Sequence, residues 1–171
     1  GSGLDVASCW SGGVIRFQNA AAAVLPWPQK LGWQVVWSGT SAATTDHIAH
    51  FDEWRRQADL KPLRRLSELS NDLCNTPNLT LLGAYQRALM DLDKAAELKI
   101  FSAEHQELVK IATGFGLVYK PCGAGGGDIG IAFADLTQGT DVLEDFRMAA
   151  TAAGFYCPKL ETDQHGVRLA Q

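Results

Sequence analysis

The sequence has 171 residues, of which 46% are hydrophobic and 20% charged, a composition sufficient for the core of one domain. Its formal net charge of −4 argues against a general nucleic-acid-binding protein, although a local site for anionic metabolites remains compatible with it. No apolar stretch is long enough to cross a bilayer, so the sequence does not predict a membrane protein or a membrane partner.

The cysteines and histidines give no metal or hydrolase motif. The four cysteines are widely scattered, and no Cys/His cluster has the spacing of a zinc site. His47 and His50 lie three residues apart, but the sequence shows no third ligand beside them. We therefore expect reduced thiols in the cytoplasm and no metal site built by the chain. The sequence gives no indication of the oligomeric state.

The first segment predicts a short helix over about 5–10 and a strand over Val14–Gln18. The alanine run at 20–23 favours a helix by propensity alone, but Pro26 and Pro28 then require a turn or an extended crossover. We place a domain boundary near Pro28, which gives segments of 1–28 and 29–171.

The second segment begins with a predicted strand over Leu31–Trp37 and a turn rich in serine and threonine. Apolar residues at helical spacing then predict helices, with Asn78 and Ser102 as N-cap residues for two of them. The predicted helices span about 46–58, 62–73, 78–98 and 102–113.

A glycine-rich run follows, with four glycines among the five residues of 123–127. Apolar β-type runs at 116–119 and 129–134 flank it, so the pattern predicts a strand, a loop and a strand. A Walker loop or a dinucleotide fingerprint would open a helix at this point, and both are therefore excluded. Backbone amides in such a loop can reach a phosphate, although a long glycine hairpin without a ligand explains the pattern as well.

The chain closes with a predicted helix over about 140–153 and two short strands at 155–157 and 167–170. This order of elements predicts an α+β fold, in which helices cover one face of an antiparallel sheet.

A second candidate segment lies at Gly1-Ser2-Gly3-Leu4-Asp5. The Asp5 carboxylate falls in the first turn of the predicted helix, where the helix dipole favours its ionised form. An ordinary helix start after an unrelated Gly-Ser-Gly sequence explains the same residues equally well.

The two segments together resemble the GHMP family of small-molecule kinases. That family has a Gly-Ser-Gly-x-Asp segment with an active-site Asp and a late Gly-Ala-Gly-Gly-Gly loop. Three further details resemble the members that act on 5-phosphomevalonate: Asp128 after the glycine run, the Gly-Ile-Ala at 130–132, and the stretch from Trp37 to Asp46. The resemblance runs, with interruptions, from Gly1 to about Gly166.

The resemblance implies a ferredoxin-like C-terminal domain over 29–171, preceded over 1–28 by the end of a nucleotide-binding lobe. The family's ATP-binding motif, Pro-x-x-x-Gly-Leu-Gly-Ser-Ser-Ala, does not occur in the sequence. We therefore expect a C-terminal portion of a kinase that shows little turnover by itself. Cys122 is a departure, because related enzymes have a serine there, and a thiol is a poorer hydrogen-bond donor than a hydroxyl.

The resemblance also assigns roles to residues. Asp5 is the catalytic candidate, either to orient the acceptor or to act as a general base. Candidate phosphate- and ATP-binding residues are Cys122, Gly123, Ala124, Gly125, Gly126, Gly127 and Asp128. Candidate substrate-binding residues are Ser2, Gly3, Arg16, Ser38, Thr40, Ser41 and Lys120. For Arg16 and Lys120, an exposed position on a strand is an equally simple explanation.

The implied reaction transfers a phosphoryl group from ATP, with Mg²⁺, to 5-phosphomevalonate and gives 5-diphosphomevalonate in isoprenoid biosynthesis. Mevalonate or another acceptor of the family is the first alternative. The second is a binding or regulatory module without catalysis. The expected partners are ATP and a small phosphate acceptor, with no nucleic acid and no membrane.

Overall fold

The structure is a computed structural model of the chain, and it describes residues 3–41, 44–139 and 141–168. The chain divides into two compact units. One contains the described residues of Gly1–Pro28 and Leu160–Gln171, and the other those of Gln29–Lys159. The division predicted from the sequence, 1–28 and 29–171, stays a prediction.

The first unit contains a short helix and a β-hairpin. Helix α1 spans Leu4–Ser11, strand β1 spans Val14–Gln18, and strand β2 spans Ala21–Leu25. The alanine run therefore forms part of a strand and not the helix that its propensity favours. Asn19 and Ala20 take positive φ values of 51° and 59°, which form a tight hairpin turn, and the strand pairing then outweighs the preference of alanine.

The end of the chain contacts α1 within the same unit. The Val167 amide donates to the Cys9 carbonyl at 3.0 Å, and the Gly13 amide donates to the Asp163 carbonyl at 2.6 Å. The strand predicted over 167–170 is not formed by Val167 and Arg168, while Leu169 and Ala170 lie outside the described residues. The hydrogen bond from Val167 to Cys9 of α1 takes the place of a strand ladder.

The second unit is built on a three-stranded antiparallel sheet. Strand β3 spans Leu31–Trp37, β4 spans Val118–Pro121 and β5 spans Ile129–Asp135, in the order β3-β5-β4. The predicted strand over 155–157 is reduced to one bridge, between Trp37 and Tyr156. The loop between β4 and β5 is the glycine-rich run, so the predicted strand, loop and strand are confirmed.

The helices of this unit begin where the sequence places their caps. The Asn78 side chain accepts from the Leu81 amide at 2.9 Å, and the Ser102 hydroxyl accepts from the His105 amide at 3.4 Å. The helices are α2 (Thr44–Gln57), α3 (Lys61–Asn75), α4 (Leu79–Ala96), α5 (Ala103–Gly114) and α6 (Val142–Ala152), with a 3₁₀ turn at Leu136–Gln138.

Two clusters of buried side chains hold the unit together. In the first, Tyr119 and Ala132 of the sheet pack with Leu108 of α5 and Phe146 of α6. The second joins the inner face of α4 and the segment 98–101 to side chains of α2 and α3. The predicted α+β class, with an antiparallel sheet against helices, is confirmed. None of the helices that the structure describes is both long and apolar enough to cross a bilayer.

Candidate functional site

The glycine-rich loop, residues 122–128, is closed at its base by a backbone hydrogen bond. The Cys122 amide donates to the Ile129 carbonyl at 2.9 Å, which continues the pairing of β4 and β5. Within the loop, the Gly125 amide donates to the Cys122 carbonyl at 3.3 Å. The loop is therefore a defined turn on two paired strands.

Most of the loop requires left-handed backbone. Gly123, Gly125 and Gly126 have φ values of 61°, 76° and 79°, and Asp128 has a φ of 56°. At Gly125 a Cβ atom would also lie 2.8 Å from the Ile100 Cα atom, whereas at Gly123 it would meet open space. Gly125 is thus required by both conformation and packing, and Gly123 by conformation alone.

The amides of the loop fall into two groups. Those of Gly125 and Gly126 are engaged, the second with the Ile100 carbonyl at 2.8 Å. Those of Gly123, Ala124 and Gly127 donate to no acceptor within residues 3–41, 44–139 and 141–168. Of the five amides predicted to bind phosphate, three remain available as donors.

The turn after β3 is joined to the loop by two backbone hydrogen bonds. The Ser38 amide donates to the Asp128 carbonyl at 2.7 Å, and the Asp128 amide donates to the Thr40 carbonyl at 2.6 Å. The buried Ser38 hydroxyl lies 3.2 Å from the Thr40 carbonyl, so it stabilises its own turn. Thr40 and Ser41 are exposed. The structure thus brings together Ser38, Thr40 and the end of the glycine loop.

Two further candidates flank the start of the loop. Lys120, on β4, is half-buried and has no ion pair among the residues that the structure describes. Burial raises the pKa of the neighbouring Cys122 thiol, and the Lys120 charge opposes this only in part. The thiol is therefore protonated at neutral pH and adds no negative charge near a bound anion.

Asp5, Gly3 and Arg16 lie in the first unit. Asp5 is exposed in the first turn of α1, and Gly3 is the N-cap residue of that helix with a φ of 78°. The Arg16 guanidinium donates to the Gln18 side chain at 2.8 Å on β1. Ser2 lies outside the described residues.

Comparison with known proteins gives a relative in sequence and several in fold. No protein-family profile matches the chain. The phosphomevalonate kinase of Streptomyces sp. (strain CL190) is 32% identical over 131 residues, and the match covers 69% of this chain and 34% of that protein. The chain thus spans about a third of the length of this curated relative.

Among solved structures, Streptococcus pneumoniae phosphomevalonate kinase in complex with phosphomevalonate and AMPPNP has a TM-score of 0.63 at 17% identity. The match covers 83% of this chain and 42% of that one. L. major mevalonate kinase in complex with R-mevalonate has a TM-score of 0.70 at 21% identity, over 98% of this chain and 54% of that one. The chain belongs to the GHMP kinase family. It matches a C-terminal portion of the kind found in phosphomevalonate kinase.

The structure of this GHMP kinase chain also shows two residues that the sequence did not suggest as part of a site. His105 of α5 and Tyr119 of β4 are both fully buried. The His105 Nδ1 atom lies 2.8 Å from the Tyr119 hydroxyl, and its Nε2 atom lies 3.0 Å from the Gly127 carbonyl. One signal was available in the sequence, because His105 shares a helix face with the apolar Leu108 and Ala112.

A cavity of about 910 Å³ opens next to the loop, between the end of α4 and the start of α5. Its lining includes Lys94, Lys99 and Phe101, and it reaches the loop at Gly126. The amide of Gly126 is already bonded to Ile100. The cavity therefore does not use the three available loop amides of this GHMP kinase chain.

Proposed function

We propose that this chain supplies the phosphate-binding loop and the acceptor-orienting aspartate of an ATP-dependent phosphotransferase that converts 5-phosphomevalonate to 5-diphosphomevalonate. The observation that carries the proposal is the loop itself: within the described part of the chain, the amides of Gly123, Ala124 and Gly127 have no acceptor and the nearby Lys120 has no ion pair. The sequence match to phosphomevalonate kinase supports the choice of acceptor.

The loop suits a phosphate because its donors are fixed before a ligand arrives. Positive φ values at Gly123, Gly125 and Gly126 shape the loop into a turn, and successive backbone N–H groups of a turn can form a concave anion site. Preorganised dipoles stabilise charge without the reorganisation that water requires. We assign Gly123, Ala124 and Gly127 as donors to phosphate oxygens, with Lys120 as the neighbouring positive charge.

The proposed phosphoryl transfer to 5-phosphomevalonate requires little proton transfer by the protein. A phosphate oxygen of the acceptor, already anionic at neutral pH, forms the new bond to the γ-phosphorus of ATP, and the bond to the β-phosphate breaks to release ADP. Positioning and charge neutralisation then supply most of the rate enhancement. Fixed amides and one lysine match that requirement.

Asp5 is proposed to orient the acceptor, since it matches the active-site Asp of the family. Its exposed position at the start of α1 leaves the carboxylate open to a ligand. We propose Ser2, Gly3, Arg16, Thr40 and Ser41 as further contacts to the acceptor. Ser38 acts through the turn that it stabilises.

In a phosphotransferase, Mg²⁺ is usually held by the phosphates of the nucleotide and one or two carboxylates, so a preformed cluster of protein ligands is not required. No group of three or more His, Cys, Asp or Glu side chains within the described residues is placed to hold an ion. Asp128 is the carboxylate of the loop, and its left-handed backbone and its two hydrogen bonds to the β3 turn give it a structural role. We therefore assign no step to Mg²⁺ on this chain.

Phosphorylation of mevalonate is the second candidate, because the match to L. major mevalonate kinase covers 98% of this chain. Mevalonate presents a hydroxyl rather than a phosphate, and a hydroxyl must lose its proton when it attacks. In that case Asp5 would act as a general base, and the rate would depend on its ionisation.

The test is an ADP-release assay of the longest reading frame that contains this chain, with 5-phosphomevalonate, mevalonate, homoserine and galactose as acceptors. We expect turnover with 5-phosphomevalonate above the other three. A preference for mevalonate would support the second candidate, and no turnover with any acceptor would overturn the kinase proposal in favour of a binding module.

The same assay tests Asp5. We expect Asp5→Asn to lower kcat by about 100-fold or more, while Asp91→Asn, an exposed aspartate on α4, stays within about twofold of the parent. Near-normal turnover of Asp5→Asn would remove Asp5 from the mechanism.

A further inference from the structure

The hydrogen bonds of His105 fix which of its nitrogens carries the proton. A carbonyl oxygen can only accept, so the Nε2 atom, 3.0 Å from the Gly127 carbonyl, must be the donor. Burial lowers the pKa of His105, which keeps the ring neutral at pH 7 and leaves Nδ1 without a proton. Nδ1 therefore accepts the hydrogen of the Tyr119 hydroxyl at 2.8 Å.

Tyr119 is itself held in place by the sheet. Its side chain is fully buried, and its hydroxyl and ring edge occupy the space that a Cβ atom at position 130 would need. Gly130 lies inside β5, opposite Val36 and Pro121 on the neighbouring strands. The chain of contacts from Gly130 through Tyr119 to His105 is thus anchored in the core.

This chain of contacts ends on the part of the loop where an amide is available. The Gly126 amide is fixed by the Ile100 carbonyl. The peptide after Gly127 is fixed at both of its polar groups, because its carbonyl accepts from His105 and its N–H, that of Asp128, donates to Thr40. The peptide that joins Gly126 to Gly127 lies between these two fixed groups, and it carries the Gly127 N–H. That N–H belongs to a buried residue and has no acceptor among the described residues. A glycine peptide without such restraints rotates readily.

We infer that His105 is a positioning residue, which directs the Gly127 N–H toward a bound phosphate by holding the Gly127 carbonyl, while the Tyr119 hydroxyl holds the ring in place at Nδ1. The inference rests on the proposed function, because it gives the loop a phosphate to bind.

The first part of the test needs no ligand. We propose ¹⁵N NMR of this chain, with His105→Leu to remove the donor, and His105→Gln to keep an N–H donor near the position of Nε2. In the parent chain we expect the Nε2–H tautomer and an ordered Gly127 amide, with an order parameter of about 0.85. We expect that value to fall below about 0.6 in His105→Leu and to recover in His105→Gln.

The second part is a titration with inorganic pyrophosphate. In the parent chain we expect shifts of the Gly123, Ala124 and Gly127 amides, with Gly116 and Gly154 as reference amides outside the loop and the β3 turn. In His105→Leu we expect the Gly127 shift to be lost and the affinity to fall by about tenfold, which is the weight of one good hydrogen bond to a charged group. His105→Gln should restore most of both.

The two parts separate the possible failures. An ordered Gly127 amide with an unchanged pyrophosphate shift in folded His105→Leu would overturn the role of His105. Absence of pyrophosphate shifts in the parent chain would overturn the proposed function of the loop, whatever the order parameters show. If His105→Leu does not fold, Tyr119→Phe replaces it. This variant removes the hydroxyl that holds the ring at Nδ1, so we expect a less ordered Gly127 amide, and an amide as ordered as in the parent chain would contradict the inference.

Discussion

The unit of residues 29–159 has a core in which side chains from the sheet and five helices are buried together. In the unit that contains Asp5, by contrast, no side chain among the described residues is buried, and Trp10 is 70% exposed. Hydrogen bonds of a hairpin and of one helix define that unit. Substitutions of buried side chains in the unit of residues 29–159 should therefore change stability. Substitutions in the unit that contains Asp5 should change ligand contact more than stability.

The largest expected effect tests this difference directly. Phe146→Ala should lower the free energy of unfolding by about 3–5 kcal/mol, because it leaves a cavity in the fully buried cluster. Trp10→Ala should change it by no more than about 0.5 kcal/mol, since the ring is mostly exposed. Chemical denaturation followed by circular dichroism measures both. Equal losses in the two variants would show that the units do not differ as described.

The second prediction compares two glycines within the loop. Gly125→Ala should lower the free energy of unfolding by about 1–3 kcal/mol more than Gly123→Ala does, because only the new methyl group at position 125 would overlap Ile100. Both variants share the cost of left-handed backbone, about 1–2 kcal/mol each. Denaturation midpoints of the two alanine variants decide the matter, and identical midpoints would mean that packing against Ile100 does not determine the loop.

The smallest effect concerns pH. Burial holds the folded-state pKa of His105 below its ordinary value of 6.5, although the charges of Glu104 and Asp128 act in the opposite direction. The unfolded chain therefore binds the proton first as the pH falls, so the free energy of unfolding decreases on acidification below about 6.5.

The matched control for this pH effect is His105→Gln, which keeps a hydrogen-bond donor and removes the titration. Unfolding measured between pH 7.5 and 5.5 should show a steeper loss of stability in the parent chain than in the variant. Parallel pH profiles would contradict the assignment of this effect to His105.

The sequence predicted the elements whose signals are local. The caps at Asn78 and Ser102, the helical spacing of apolar residues and the glycine run between two apolar strands all act within a few residues. It did not predict β2, because that strand depends on pairing with β1 across the turn at Asn19 and Ala20. Local propensity carries no information about such a partner.

The candidate site divides in the same way. The glycine content of the sequence identified the loop. Which of its amides are available depends on the carbonyls of Ile100 and Cys122, and Ile100 is distant in the sequence. His105 stood on an apolar helix face, yet its partners Tyr119 and Gly127 come from β4 and from the loop after it. Contacts of this kind follow from the packing of α5 on the sheet, which the residues of α5 alone do not specify.

The Tyr119 phenol occupies the space that a Cβ atom at position 130 would need, so the effects of substitutions at these two positions depend on each other. An alanine at 130 is blocked while the aromatic ring remains, and loss of the ring leaves a void in the core while 130 stays glycine. Neither single change is neutral, so the two positions are expected to vary as a pair. A mutational library of this chain would show the constraint as epistasis, with alanine at 130 less destabilising on backgrounds that lack the Tyr119 ring. Some cost remains there, because the Cβ atom would also lie 2.9 Å from the Lys120 carbonyl oxygen.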